Sequence, residues 1–298
     1  MPIEGTGFIT IVGIETAPAG DLNLTYAMPA IDPVVTSRGE ILDTEANLLR
    51  EGREKSNRTS SKSMAAGKIQ FHLFSKEIAE KGVIRDINSL LEKDPSDPIL
   101  SWVVIIDGSP RELIHHAEEL SDKPRPSTYL NGLLDRAVIS GSIPETRVFN
   151  FDLVSLAPGM DNVVPMIKLN EKSIEVMGSA LFSKDKMVGT ITEKQNGLLM
   201  AMMKTLKNKK YTYEASDIND EDNEKPKRGL SILIGQKSKS IKISIRDNTP
   251  VVDINLKLNG TIDEYKWDDL NNESSVKKLS EAIGIQIQQD CQKLIEYM

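Results

Sequence analysis

Between Gly178 and Met200 the chain sets out a strand, a polar turn, a second strand and a capped helix in one uninterrupted run, and this block constrains the fold more than any other stretch. Residues 183–186 supply turn chemistry between two apolar runs. Thr192 and Gln195 then stand at capping-box spacing, in which each side chain satisfies the other's exposed backbone amide at a helix start. A hairpin that feeds a helix in this way belongs in an α+β fold.

The same vocabulary recurs upstream. Residues 8–15 form an apolar run, residues 18–21 a turn, and Leu22, Leu24, Tyr26 and Met28 alternate with polar neighbours, which predicts another hairpin. Ile41, Ala46, Leu48 and Leu49 fall at helical spacing in a polar segment that ends near Ser61. Ile69, Phe71 and Leu73 alternate as a strand. Ser75 follows as the cap of a short helix over 76–81, with Gly82 where a left-handed residue ends it. Ile84, Ile87, Leu90 and Leu91 mark one more short helix. Residues 102–106 read as a buried strand, and Ser109 and Pro110 occupy the N-cap and first-turn positions of a helix reaching Leu120. Helices are predicted over 129–139 and 151–156, the latter capped by Asn150, and a strand carrying Pro165 over 163–169.

With 298 residues, 39% hydrophobic and 27% charged, the chain is long enough for two domains, which the pattern divides into 1–170 and 171–298. The second opens with the hairpin and capped helix. It continues through a strand at 211–214 and a polar segment over 216–228, expected to be a mobile loop. Strands follow at 230–234 and 241–245, then a long one over 251–265. There Val252, Ile254, Leu256, Leu258 and Ile262 share one face, opposed by Asp253, Asn255, Lys257 and Asn259. From Glu273 onward Val276, Leu279, Ile283, Ile287, Cys291 and Leu294 recur every three or four residues, an amphipathic helix of roughly six to seven turns. The expected architecture is two domains with mixed, largely antiparallel sheets and packed helices.

Chemistry is sparse. A formal net charge of −7 argues against nucleic acid as a partner, because phosphate binding needs a basic footprint. His72 lies in a strand pattern, while His115 and His116 diverge by 100° on one helix and cannot share a metal without other ligands. The stretch from Asp217 through Asn219, Glu221 and Asp222 to Glu224 resembles a calcium loop but lacks the central Gly and the terminal bidentate Glu. Glu118 and Glu119, and likewise Asp268 and Asp269, sit in polar contexts where solvation explains them. Cys291 is the one cysteine, so no intrachain disulfide exists, and its helical stripe makes it core rather than nucleophile. No nucleotide, hydrolase or zinc-protease motif occurs. Catalytic, cofactor and metal sites are therefore assigned to no residue, and no cofactor is expected. No run approaches the ~20 apolar residues of a membrane helix. Met1 and Pro2 lead almost directly into the first strand, as if replacing a leader, and the last helix reaches Met298 without a stop signal.

Four blocks, in order, resemble the Ger(x)C lipoprotein family, the C subunits of bacterial spore germinant receptors of the GerAC and GerBC type. The first is Phe8 to Glu15 with Gly20 and Leu22 to Thr25, similar to the family's opening hairpin. The second is Gly67 to Val83, and the third Phe151 to Pro165 with Pro158, Gly159, Met160 and Asp161. The fourth, Gly178 to Met200, is the most specific, with Gly178, Ala180, Phe182, Asp185, Lys186, Val188 and Gly189 in the family's spacing and Gly197, Leu198 and Leu199 on the helix. Lys68, Glu15 and Asn162 depart from the usual His, Asp and Pro, as in a divergent member.

The resemblance implies a non-enzymatic C subunit of a nutrient germinant receptor, a scaffold for receptor assembly and signal coupling in spore germination. Its implied partners are the membrane-embedded A and B subunits. It also implies attachment to the lipid membrane through an N-terminal lipidated Cys that would precede Pro2, on the outer face of the inner spore membrane. A last domain beyond Met298 would be missing. The competing expectation is an extracytoplasmic small-molecule (solute) binding protein with a polar cleft between its two domains. A hydrolase would need a nucleophile and base that are not found.

Overall fold

The computed structural model describes residues 5–18, 21–30, 39–87, 98–120, 122–171, 173–203, 210–215, 230–265 and 273–298. Two compact units are present, Met1–Arg136 with Ile143–Ile191, and Ala137–Ser142 with Thr192–Met298.

In the first unit, β1 (Thr6–Phe8) pairs in parallel with β5 (Ser63–Ala65). The main strands are β2 (Ile11–Thr16), β3 (Leu22–Pro29), β4 (Gly39–Ala46), β6 (Phe71–Ser75), β7 (Trp102–Ile106), β8 (Val163–Asn170), β9 (Ser173–Ser183) and β10 (Lys186–Thr192). They form one eight-stranded sheet in the order β10-β9-β8-β7-β6-β2-β3-β4. Its centre, β2, β6, β7 and β8, is parallel. Antiparallel strands flank it on both sides, β3 and β4 on one and β9 on the other. Every residue of β6 and β7 is buried, which explains their continuous apolar runs: a central parallel strand is covered on both faces.

The helices are α1 (Leu49–Asn57), α2 (Lys76–Lys81), α3 (Pro110–Glu119), α4 (Pro126–Ile139) and α5 (Val148–Leu156). On one face of the sheet Val12, Ile14, Phe74, Val103, Ile105 and Met166 pack with Ile78 of α2, Phe151 of α5 and Phe182. Phe151 and Phe182 meet edge to face, ring centroids 5.4 Å apart, a geometry that adds about 0.5–1.5 kcal/mol to simple burial. On the other face α3 lies so close to β2 that a Cβ at Gly13 would come within 2.8 Å of Ile114 Cδ1 and 3.2 Å of Pro110 Cβ.

Local caps form as the sequence predicts. Ser75 Oγ accepts from the Ile78 amide at 3.3 Å, and Gly82 closes α2 with φ 77°. Ser109 Oγ accepts from the Glu112 amide at 3.2 Å with Pro110 in the first turn. Two expectations fail in this unit. Residues 41–46, expected as helix, belong to β4, which pairs with β3 from Leu22↔Ala46 to Pro29↔Gly39, so ladder pairing overrides a weak helical spacing. Asn150 does not cap α5. That helix starts at Val148, and its first amides bond instead to the backbone, Val148 N to Ser101 O at 3.0 Å and Phe149 N to Ile99 O at 3.0 Å.

The second unit contains α6 (Glu193–Met203), β11 (Lys210–Ala215), β12 (Leu230–Arg246), β13 (Thr249–Tyr265) and α7 (Glu273–Tyr297). The capping box at the start of α6 forms, Thr192 N to Gln195 Oε1 at 2.9 Å and Gln195 N to Thr192 Oγ1 at 3.3 Å. The strands make an antiparallel sheet in the order β11-β12-β13. Residues 230–234 and 241–245, expected as separate strands, are one: a register shift between Gln236 and Ser238 absorbs the polar interruption. Asp247 and Asn248, at φ 49° and 62°, make a two-residue turn into β13 of the kind that needs left-handed residues. Lys239 Nζ donates to Met203 O at 2.8 Å and Gln236 Nε2 to Ala201 O at 3.1 Å, satisfying end carbonyls of α6. Leu279, Ile287, Cys291 and Leu294 of α7 are buried. Leu90, Leu91, the segment 216–228 with its candidate calcium ligands, Asp268 and Asp269 lie outside the described residues.

Candidate functional site

Strands β2, β6 and β7 end side by side, and the residues there line an open crevice of about 520 Å³ in the first unit. Among them are Glu15, Ser75, Lys76, Glu77, Asp107 and Ser109. In open sheets with a parallel centre this carboxyl end is where ligands bind, because helix starts and turn residues converge there. Each side chain is placed by local chemistry. Ser109 caps α3 and donates to Glu15 Oε2 at 2.6 Å, tying the start of that helix to the end of β2. Lys76, in the first turn of α2, holds its Nζ 3.9 Å from Asp107 Oδ1, and Lys81 Nζ donates to Thr16 Oγ1 at 3.3 Å. Hydrogen-bond donors and acceptors of both charges face one space, suited to holding a small polar group. No histidine lines it, so neither serine has an imidazole base there. The sequence showed both caps but not that their strands are neighbours; the repeated strand, cap and helix at 71–81 and 102–119 was the available signal.

The histidines do not gather. His72 is buried, and its Nδ1 lies 2.9 Å from Ser101 Oγ. Because Ser101 Oγ donates its proton to Pro98 O at 2.8 Å, Nδ1 is the protonated nitrogen and donates to Ser101. Burial pushes its pKa from 6.5 down to about 4, so the ring is neutral. His115 Nε2 sits 2.9 Å from Asp43 Oδ2, which also takes Arg111 Nε at 3.2 Å, while Thr25 Oγ1 donates to Asp43 Oδ1 at 2.7 Å. This cluster fastens α3 across β3 and β4. Among the described residues no three His, Cys, Asp or Glu side chains are placed to hold a metal. The Cys291 thiol is buried and pushed up to about 11, first by desolvation and then by Asp290, so it stays protonated at neutral pH. Glu118 and Glu119 lie in the last turn of α3. Among the described residues no helix is long and apolar enough to cross a membrane.

Two family models tile the chain in order. One, the spore germination protein N-terminal domain, matches residues 1–169, and the other, the spore germination B3/GerAC-like C-terminal domain, matches 177–298. That division and the compact units differ over residues 177–191, which join the first sheet by hydrogen bonding and the second module by sequence, and over Ala137–Ser142, which lie in the first module by sequence and in the second compact unit. A spore germination protein GerQC of Bacillus cereus is 22% identical over 296 residues, covering 99% of this chain and 79% of that protein. The crystal structure of a GerBC protein superimposes with a TM-score of 0.55 at 14% identity, over 95% of this chain and 80% of that one, and so shares its mixed α+β fold. With both models in sequence order over nearly its whole length, the chain belongs to the GerAC family of spore germination proteins, the family of GerAC/GerBC-like germinant-receptor C subunits.

Proposed function

We propose that this protein is a non-enzymatic lipoprotein C subunit of a nutrient germinant receptor, acting as a scaffold for assembly and signal coupling. Its partners in this reading are the membrane-embedded A and B subunits. Its place is the outer face of the inner spore membrane, held by a lipidated N-terminal cysteine. Its working modules are 1–170 and 171–298. The observation that carries the reading is the ordered match of both family models along the chain. The test is dipicolinate release from spores lacking the gene. Loss of one nutrient response, with the response to exogenous calcium dipicolinate retained, is expected. Retention of every nutrient response in a strain without paralogous receptors would overturn it.

One observation favours a second reading, binding of a small polar solute: the crevice at the ends of β2, β6 and β7 presents Glu15, Lys76 and Asp107 to a common space. Calorimetry of the purified chain against germinant amino acids separates the two. The scaffold reading expects no heat of binding, and micromolar affinity would establish the solute reading.

A further inference from the structure

Among the described strands the outer half of the β12–β13 hairpin is a two-stranded ribbon, since β11 pairs with Leu230 to Gly235 and not beyond. Its register places Ile241↔Ile254, Ile243↔Val252 and Ile245↔Pro250 on one face, and Lys242↔Asp253, Ser244↔Val251 and Arg246↔Thr249 on the other. The apolar face is open: Ile243 is 74% exposed, Ile245 76% and Val252 54%. These three β-branched side chains, with Ile241 beside them at 47%, are in register and form a continuous patch rather than scattered surface residues.

Charge identifies what such a face fits. Residues 237–257 carry five basic side chains, Lys237, Lys239, Lys242, Arg246 and Lys257, against Asp247 and Asp253, a net +3 in a chain of net −7. Lys239 is engaged with α6, and the other four basic residues are exposed. Val252 and Ile254 border the groove along α7, but Ile243 and Ile245 at the outer end of the ribbon have no such neighbour among the described residues, and an apolar face backed by a basic one there has the chemistry of a segment lying in the interface of an anionic bilayer. There the apolar side chains sink about 5–10 Å and the cations remain at headgroup level. A second copy of the chain is disfavoured, because a two-fold contact would bring two net-positive ribbons together. Penetration beyond the interface is disfavoured too: the turn carries Asp247 and Asn248, and the strand edges of a two-stranded ribbon need water or headgroups for their backbone groups.

We infer that the apolar face of the β12–β13 ribbon is a membrane-docking surface for anionic phospholipid, separate from any covalent lipid anchor. Sedimentation of the purified chain with phosphatidylcholine vesicles, and with vesicles of equal parts phosphatidylcholine and phosphatidylglycerol, tests it. Binding to the anionic vesicles is expected to be about tenfold tighter and to weaken as salt is raised. The double variants Ile243→Asp/Ile245→Asp and Lys242→Glu/Arg246→Glu are each expected to lower it about tenfold while far-UV circular dichroism and Tm stay unchanged. Absence of binding, equal binding to both vesicles, or binding indifferent to both variants would overturn the inference. A variant that dissolves a dimer or releases a protein partner while vesicle binding persists would also overturn it.

Discussion

Strand β7 and the outer half of β12 are both rich in β-branched residues, yet one is buried throughout and the other leaves Ile243 and Ile245 in solvent. The difference is in neighbours. Trp102–Ile106 has β6 and β8 beside it and helices on both faces of its sheet. Beyond Gln236, β12 has β13 alone among the described strands. Apolar content sets what a strand could bury; the elements packed on it set what it does bury. The first sheet therefore carries stability, and the ribbon is free to carry a contact.

Substitutions can break this contrast or sharpen it. Phe151→Ala, at a fully buried ring, should destabilise the first unit by about 3–5 kcal/mol in urea unfolding. A loss under about 1 kcal/mol would mean the sheet core is far looser than its burial indicates.

Acid probes the same core without mutation. The folded pKa of His72 lies below its unfolded value, so the unfolded chain binds the proton more readily. Stability from this group is complete above pH 6.5 and declines as pH falls toward about 4, by about 3 kcal/mol in total. In His72→Gln that part of the slope should vanish; an unchanged slope would assign the acid sensitivity to other groups.

Leu294→Ala in α7 should cost the second unit about 2–3 kcal/mol, the low end of its class, because α7 borders a groove of about 690 Å³ that lets the lining relax. Thr192→Ala, which removes the capping-box hydroxyl, should lower stability by about 1 kcal/mol, read as a Tm shift. Ile243→Ser should change it by no more than about 0.5 kcal/mol. A larger loss at Ile243 would show that the ribbon's face is covered in solution.

Features governed by adjacent residues were legible in the sequence. Ser75, Gly82, Ser109, Pro110, Thr192 and Gln195 act within four residues of their partners, so spacing was enough to place them. Asn150 misled because its helix start is satisfied by the backbone at Ile99 and Ser101, about fifty positions away in sequence. Residues 41–46 misled for the same kind of reason, since their fate depends on pairing with β3. The candidate crevice was legible only in pieces: Glu15 and Ser109 are 94 residues apart and meet because β2, β6 and β7 are adjacent.

The sequence by itself determined the hairpins, the caps of α2, α3 and α6, the α+β class and the family, because those depend on short-range spacing and on ordered blocks of residue types. Tertiary structure alone decided the parallel centre of the first sheet, the convergence of polar groups at its carboxyl end, and which isoleucines of β12 stay uncovered. Those outcomes depend on which elements become neighbours across long sequence separations, and an alternating apolar run states that it has a face to cover without stating what will cover it.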